Sequence, residues 1–242
     1  MTLGAPEVPG HHHPEAKRKS SVVGFEFGIV NAIPEPLAVV PTLSFRLRIE
    51  NGSPVRVRSL ALWCQIRIEP HLRSHPIEEQ TKLLERFGES AHSGASLQSF
   101  LWTHASVNVP SFDRSTEIDL PVACTYDFDV AAARYLHALG EGEVPLRFLF
   151  SGTVFLEGGS SPRVEPIPWD REATYGLPVL TWRELMNIYF PGLAWIRIRH
   201  ESLDALHRYR AENRLPDWDQ TITALVGEAG SIAALRKLAG QS

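Results

Sequence analysis

Leu43–Glu69 reads LSFRLRIENGSPVRVRSLALWCQIRIE. Two runs in it alternate with period two. Leu43, Phe45, Leu47 and Ile49 face one way, and Ser44, Arg46, Arg48 and Glu50 the other. Leu60, Leu62, Cys64, Ile66 and Ile68 then alternate with Ala61, Trp63, Gln65, Arg67 and Glu69. Such alternation marks strands with one buried face. Asn51-Gly52 between them predicts a hairpin turn, because both residues tolerate positive φ. Pro54 discourages pairing at the start of the return.

Working outward, the same period appears in FEFGIV, where Phe25, Phe27 and Ile29 share a face. In LWTHASVNV, Leu101, Thr103, Ala105, Val107 and Val109 share one. TEIDLPVACTY carries Pro121, which favours an edge or a bulge. VPLRFLFSGTVFLEG is long, and Gly152 in its middle predicts a bend. RVEPIPW is a last edge candidate. Two helices interrupt the strands: PIEEQTKLLERFG, from Pro76 to Gly88, and DVAAARYLHALG, with Asp129 as N-cap and Gly140 as stop. The expected architecture is α+β: an Ig-like antiparallel β-sandwich with helical insertions and a C-terminal α-rich extension. Residues 1–20 are expected to form a flexible arm, 21–172 the sandwich, and 173–242 the extension packed on it.

In the extension, Thr181 with Glu184 predicts a capping box, and so does Asp217 with Gln220. WIRIR, Trp195–Arg199, reads as a short strand. ESLDALHRYRAENR reads as a helix with Glu201 and Asp204 first and Arg208, Arg210 and Arg214 last, an order that suits the helix dipole. Trp218, Ile222, Leu225 and Val226 predict an apolar stripe on the helix that follows.

Composition narrows the function classes. The formal net charge is −4, which argues against a dedicated nucleic-acid binder. The two cysteines, Cys64 and Cys124, have no zinc spacing and are expected to be free buried thiols. No apolar run is long enough to span a bilayer, and the N-terminus lacks the apolar core of a secretory signal, so the expected location is cytoplasmic. There is no GxSxG, Walker A, GxGxxG, HExxH or EF-hand pattern. His71 and His75 have H-x3-H spacing, but Pro70 and Pro76 bracket them, and solvated turn imidazoles are expected. Asp129 and Asp217 read as helix caps, not as halves of carboxylate pairs. No catalytic residue, metal ligand set or cofactor follows.

The residues that do point to a function are contact residues. Arg46, Arg48 and Arg67 line the polar faces of strands, with Glu50 and Glu69 as expected partners; guanidiniums so placed could also grip an acidic surface. Tyr189, Phe190 and Trp195 surround Pro191-Gly192, and Trp195, Arg197 and Arg199 share one face of the WIRIR strand. Aromatic and arginine side chains dominate binding hot spots. Arg46, Arg48, Tyr189, Trp195, Arg197 and Arg199 are therefore the candidate binding residues.

Thr181–Val226, TWRELMNIYFPGLAWIRIRHESLDALHRYRAENRLPDWDQTITALV, resembles the C-terminal signature of an uncharacterised bacterial family of unknown function. There a W-x-E-M/L element leads into Y-Y/F-P-x-x-x-W, a basic strand, a helix and an LPxWD turn. Phe25–Asn51 is similar to the same family. Its members are often encoded beside nickel–iron hydrogenase genes. The resemblance implies a non-catalytic accessory protein that binds another protein and assists assembly or maturation of a hydrogenase system. The family has no established catalytic residues, so none is carried over. Two other expectations stand beside this one. One is an enzyme with a scattered site between sandwich and C-terminal helices. The other is a metal carrier using His11, His12 and His13.

Overall fold

The computed structural model describes residues 24–87, 98–125, 130–158, 161, 163–193 and 198–239, with side chains up to 230. The arm expected at residues 1–20 lies outside these. The chain divides into two compact units, Met1–Thr125 with Ala131–Gly192 and Tyr126–Val130 with Leu193–Ser242.

The first unit holds two antiparallel sheets. Sheet A has the order β1 (Phe25–Glu35), β2 (Thr42–Asn51), β5 (Ser115–Ala123). Sheet B runs β4 (Phe100–Val109), β3 (Val57–Ile68), β6 (Glu143–Leu156), β7 (Arg163–Pro166), with β8 (Arg171–Pro178) also on β6. The apolar face expected in Leu43–Glu69 is buried throughout, whereas Ser44 and Glu69, expected on the polar face, are buried as well. Leu43, Phe45, Leu47 and Ile49 are fully buried, as are Leu60, Ile66 and Ile68, with Leu62 and Cys64 almost so. Rings from both sheets meet in the core. Phe27 of β1 stacks on Phe150 of β6 at 4.4 Å between centroids, and Phe45 of β2 meets Phe148 of β6 edge-on at 5.2 Å. Such pairs add about 0.5–1.5 kcal/mol beyond the area they bury.

The expected hairpin at Asn51-Gly52 does not form. β2 pairs with β1 and β5, and β3 with β4 and β6, so the chain changes sheets here. Neither residue has positive φ. Asn51 is buried, and its side chain decides the geometry. Nδ2 donates to the carbonyls of Val55 (2.8 Å) and Asp113 (2.9 Å), and Oδ1 accepts from the Ser53 amide (3.0 Å). An Asn that bonds its own backbone two residues on makes an Asx turn, which needs no left-handed residue. Gly52 is required by close approach, since a Cβ there would lie 2.9 Å from the Gly24 carbonyl oxygen.

Other expectations meet local geometry. Pro121 does sit on an edge strand, opposite Ser44, where its missing N–H costs no ladder bond. In β4 the register jumps from Ile66↔Thr103 to Arg67↔Leu101, so Trp102 is an extra residue. Leu101 is thereby exposed, and the Trp102 ring lies 6.3 Å from Phe45 instead. The bulge overturns the expected face of Leu101.

The helices α1 (Ile77–Phe87) and α2 (Ala131–Ala138) are the expected insertions, between β3 and β4 and between β5 and β6. Their expected ends, Gly88 and Asp129, lie outside the described residues. A nearly buried ion pair, Arg73–Glu79 at 2.8 Å, fixes the start of α1. Glu79 Oε1 also accepts from the Gly140 amide after α2, at 2.6 Å. Helix α3 (Val179–Tyr189) continues directly from β8 and buries Val179, Trp182, Leu185 and Met186. The Thr181/Glu184 capping box is absent: Pro178 is the N-cap, so Thr181 is already inside the helix.

The second unit contains α4 (His200–Glu212) and α5 (Trp218–Ala239). Asp217 caps α5 as expected: Oδ1 accepts from the Gln220 amide at 2.8 Å, and the Gln220 side chain reaches Oδ2 at 3.2 Å. The Trp218 ring holds the helix pair together, meeting His207 at 4.8 Å and the Arg210 guanidinium at 5.0 Å. The expected stripe does not become a buried face: Ile222 and Val226 are exposed, and Thr221 is the buried one. Of the expected WIRIR strand, residues 195–197 lie outside the described residues, and Ile198 and Arg199 are not in a strand.

Gly152 lies at φ 150°, and a Cβ there would meet the Ala61 carbonyl oxygen at 2.1 Å. Here β6 changes partner from β8 to β7. Gly152→Ala should lower the unfolding free energy by about 3 kcal/mol in urea titration, through overpacking against β3 plus backbone strain.

Candidate functional site

The turn between β1 and β2, Pro36–Pro41, reads PLAVVP. Leu37 is 91 % exposed and Val39 100 %, with Val40 half exposed. Scattered apolar side chains on a surface are ordinary, whereas a cluster on one tip is a candidate contact site. This tip is tied down. The Tyr189 hydroxyl, at the end of α3, lies 2.8 Å from the carbonyl oxygens of both Glu35 and Ala38. Thr42 Oγ1 donates to the Val40 carbonyl at 2.9 Å, and the Cys124 amide donates to Pro41 at 2.7 Å. Proline at each end limits the turn further. A tip so held loses little conformational freedom on binding.

Tyr189 is thus a buttress behind the exposed Leu37 and Val39. Sequence reasoning missed Leu37 and Val39. The usable signal was an apolar run between two prolines, where a turn should be polar.

The other candidate residues are dispersed. Arg46 pairs with Asp119 at 3.1 Å, and Arg48 with Glu117 at 2.7 Å, both across to β5 on the outer face of sheet A. Their expected partners were Glu50 and Glu69; strand pairing in sheet A supplies β5 instead. Half-exposed pairs of this kind contribute about 0–1 kcal/mol each. Arg67 donates to Ser99 at 2.9 Å, and Ser99 to the buried Glu69, also at 2.9 Å. Arg199 stands in extended conformation at the start of α4 without a side-chain cap bond. Trp195 and Arg197 lie outside the described residues.

The polar clusters read as structural. His71 lies within a 3₁₀ turn, Pro70–Leu72, and His75 lies beyond it, before α1, so they share no helix face. His71 is exposed, 3.7 Å from Glu69, whereas His75 is buried with Nε2 3.0 Å from the Tyr135 hydroxyl. The expectation of two solvated imidazoles therefore fails for His75. Burial, and then the Arg73 charge, lower its pKa. Burial raises that of Tyr135. Both cysteines are free and buried, and desolvation pushes each thiol up to about 12, far from a nucleophile's range. Among the described residues no group of three or more His, Cys, Asp or Glu side chains could hold a metal ion.

The family model for a family of unknown function, DUF6084, matches residues 22–234. The chain belongs to this family. No curated protein matches the chain. Two crystal structures of β-glucosidase from Kluyveromyces marxianus, one holding glucose, are similar over 64 % of the chain at 10 % identity. The chain spans 15 % of their length, and at a TM-score of 0.23 the likeness carries no argument.

Two tests follow from this geometry. Tyr189→Phe removes the bond to the tip, worth about 1 kcal/mol. Hydrogen exchange should quicken at Ala38–Val40 while the midpoint of global unfolding hardly moves. The second concerns His137, edge-on to Trp182 at 4.5 Å. Burial first, then Arg86 and Arg183, lower its pKa from 6.5 to about 4. The folded protein thus binds this proton more weakly than the unfolded chain. Its contribution is complete above pH 6.5 and is lost as pH falls toward 4. The melting temperature should fall across that window, and His137→Phe should flatten the slope.

Proposed function

We propose that this chain is a non-catalytic accessory module that binds another protein. The observation behind this reading is the anchored apolar tip, with Leu37 and Val39 presented to solvent on a turn tied down from three sides. The partner surface is an apolar pocket that takes these two side chains. Trp195, Arg197 and Arg199 remain in the proposal as a second contact, and Arg46 and Arg48 as a charged surface already matched internally to β5.

Assistance to a hydrogenase system is the more specific form of the proposal. It rests on the resemblance of Thr181–Val226 to a family whose members stand beside nickel–iron hydrogenase genes. A cytoplasmic location belongs to it as well, supported by two free thiols, as a reducing compartment keeps them. No helix among the described residues is long and apolar enough to cross a membrane. The finer fold reading, an Ig-like sandwich, is supported by strand order. β1-β2-β5 and β4-β3-β6-β8 correspond to A-B-E and C′-C-F-G of such sandwiches.

The test is recovery of the tagged full-length chain from its native host, with its companions identified by mass spectrometry. A hydrogenase-related component should come down with it. Leu37→Asp with Val39→Asp should reduce that recovery at least tenfold while leaving the melting temperature unchanged. A chain recovered alone overturns the proposal. So do complexes that survive both this double variant and Trp195→Ala with Arg197→Glu.

A further inference from the structure

Trp63 stands on β3, the strand between β4 and β6, and is 65 % exposed on the outer face of sheet B. Its cross-strand neighbours are Ser106 on β4 and Ser151 on β6. Opposite residues in antiparallel strands share a face, so both serines flank the indole. One row away, Gln65 lies between His104 and Leu149; on the other side, Ala61 lies between Asn108 and Thr153. A shallow groove of about 510 Å³ follows this face, lined by Trp63, Gln65, His104, Ser106 and Ser151.

The chemistry of this patch is unusual for the molecule. In a chain 21 % charged, none of these positions carries a carboxylate, an ammonium or a guanidinium. The corresponding face of sheet A has Glu26, Glu50, Arg48, Glu117, Arg46 and Asp119. Around Trp63 there are instead hydroxyls, amides and one imidazole, all able to donate and accept. The next row of this face carries Arg67 opposite Arg147, with Glu172 opposite Leu149, but Arg67 is bonded to Ser99 and Arg147 is paired with Glu69 and Glu172, so the row of Trp63 itself presents no cation to a nucleic-acid backbone. A protein partner's hot spot would seat the indole among apolar neighbours that exclude water, and serine on both sides does the reverse.

We infer that the outer face of sheet B around Trp63 binds a neutral glycan. One face of a pyranose ring presents only C–H groups, which carry slight positive charge toward the negative face of an indole. The ring hydroxyls point outward at its edge, where Ser106, Ser151, Gln65, His104, Asn108 and Thr153 supply neutral partners. One aromatic plate with a few placed polar groups is the usual composition of a small-molecule site. A second exposed indole lies in the same compact unit. Trp169, 84 % exposed, lies in the turn after β7, which the Ile167 amide ties to the Gly152 carbonyl at 2.9 Å. That backbone is two strand spacings from β3, about 10 Å.

The experiment is affinity gel electrophoresis of the full chain in hydroxyethyl cellulose, xylan, glucomannan and amylopectin. Retardation in at least one is expected. Trp63→Ala should weaken it tenfold or more, and Ser106→Arg, which brings bulk and charge against the plate, should act in the same direction. Both variants should keep the wild-type melting temperature, since the substituted side chains are exposed. Three results would overturn the proposal: no retardation in any of the four, equal retardation of Trp63→Ala, or Trp63-dependent binding of a decaproline peptide without glycan binding.

Discussion

The architecture of the first unit depends on one buried side-chain amide, that of Asn51. Where β2 hands the chain to β3, the backbone must leave one sheet and enter the other. Asn51 holds that crossing with bonds to Val55, Asp113 and Ser53. Losing them would leave buried polar groups without partners, at about 1–3 kcal/mol each. Because the chain crosses here, the apolar faces of β2 and β3 belong to different sheets. The rings of Phe27 and Phe45 thereby meet Phe150 and Phe148.

Around this core the buried charges and hydrogen-bonding groups serve to attach helices. Arg73 and Glu79 join α1 to the turn after α2, and His75 meets Tyr135 between them. Breaking a buried pair such as Arg73–Glu79 typically costs about 3–5 kcal/mol, because the remaining charge stays buried. A group so engaged is held in place by its partners. Recognition is therefore better sought on the surface, where side chains are ordered but not engaged.

The surfaces differ in kind. The outer face of sheet A is charged, with Arg46 and Arg48 paired across to β5. The corresponding face of sheet B is uncharged around an exposed indole, and the β1–β2 tip is apolar. Tyr189 illustrates how position converts a residue's role. Its ring was read as part of a contact cluster, yet its hydroxyl bonds the backbone that presents Leu37 and Val39.

Period two in Leu43–Glu69 was enough to establish two one-face-buried strands and the identity of their core side chains. The edge position of Pro121 and the Asp217 cap were equally legible, because each follows from local chemistry. Partner strands were not. Asn51-Gly52 supports a hairpin or a crossing equally well as a sequence, and the choice depends on a bond to Asp113, sixty-two residues away. The same holds for Arg46 and Arg48, whose carboxylate partners come from β5, and for Trp102, whose bulge turns Leu101 outward. Which side chains are left for solvent is likewise a consequence of packing: the tip is exposed because Tyr189 and Cys124 hold its backbone from elsewhere in the chain. Local periodicity determined the elements and their inner faces, and only long-range pairing decided what those faces meet and which surfaces remain.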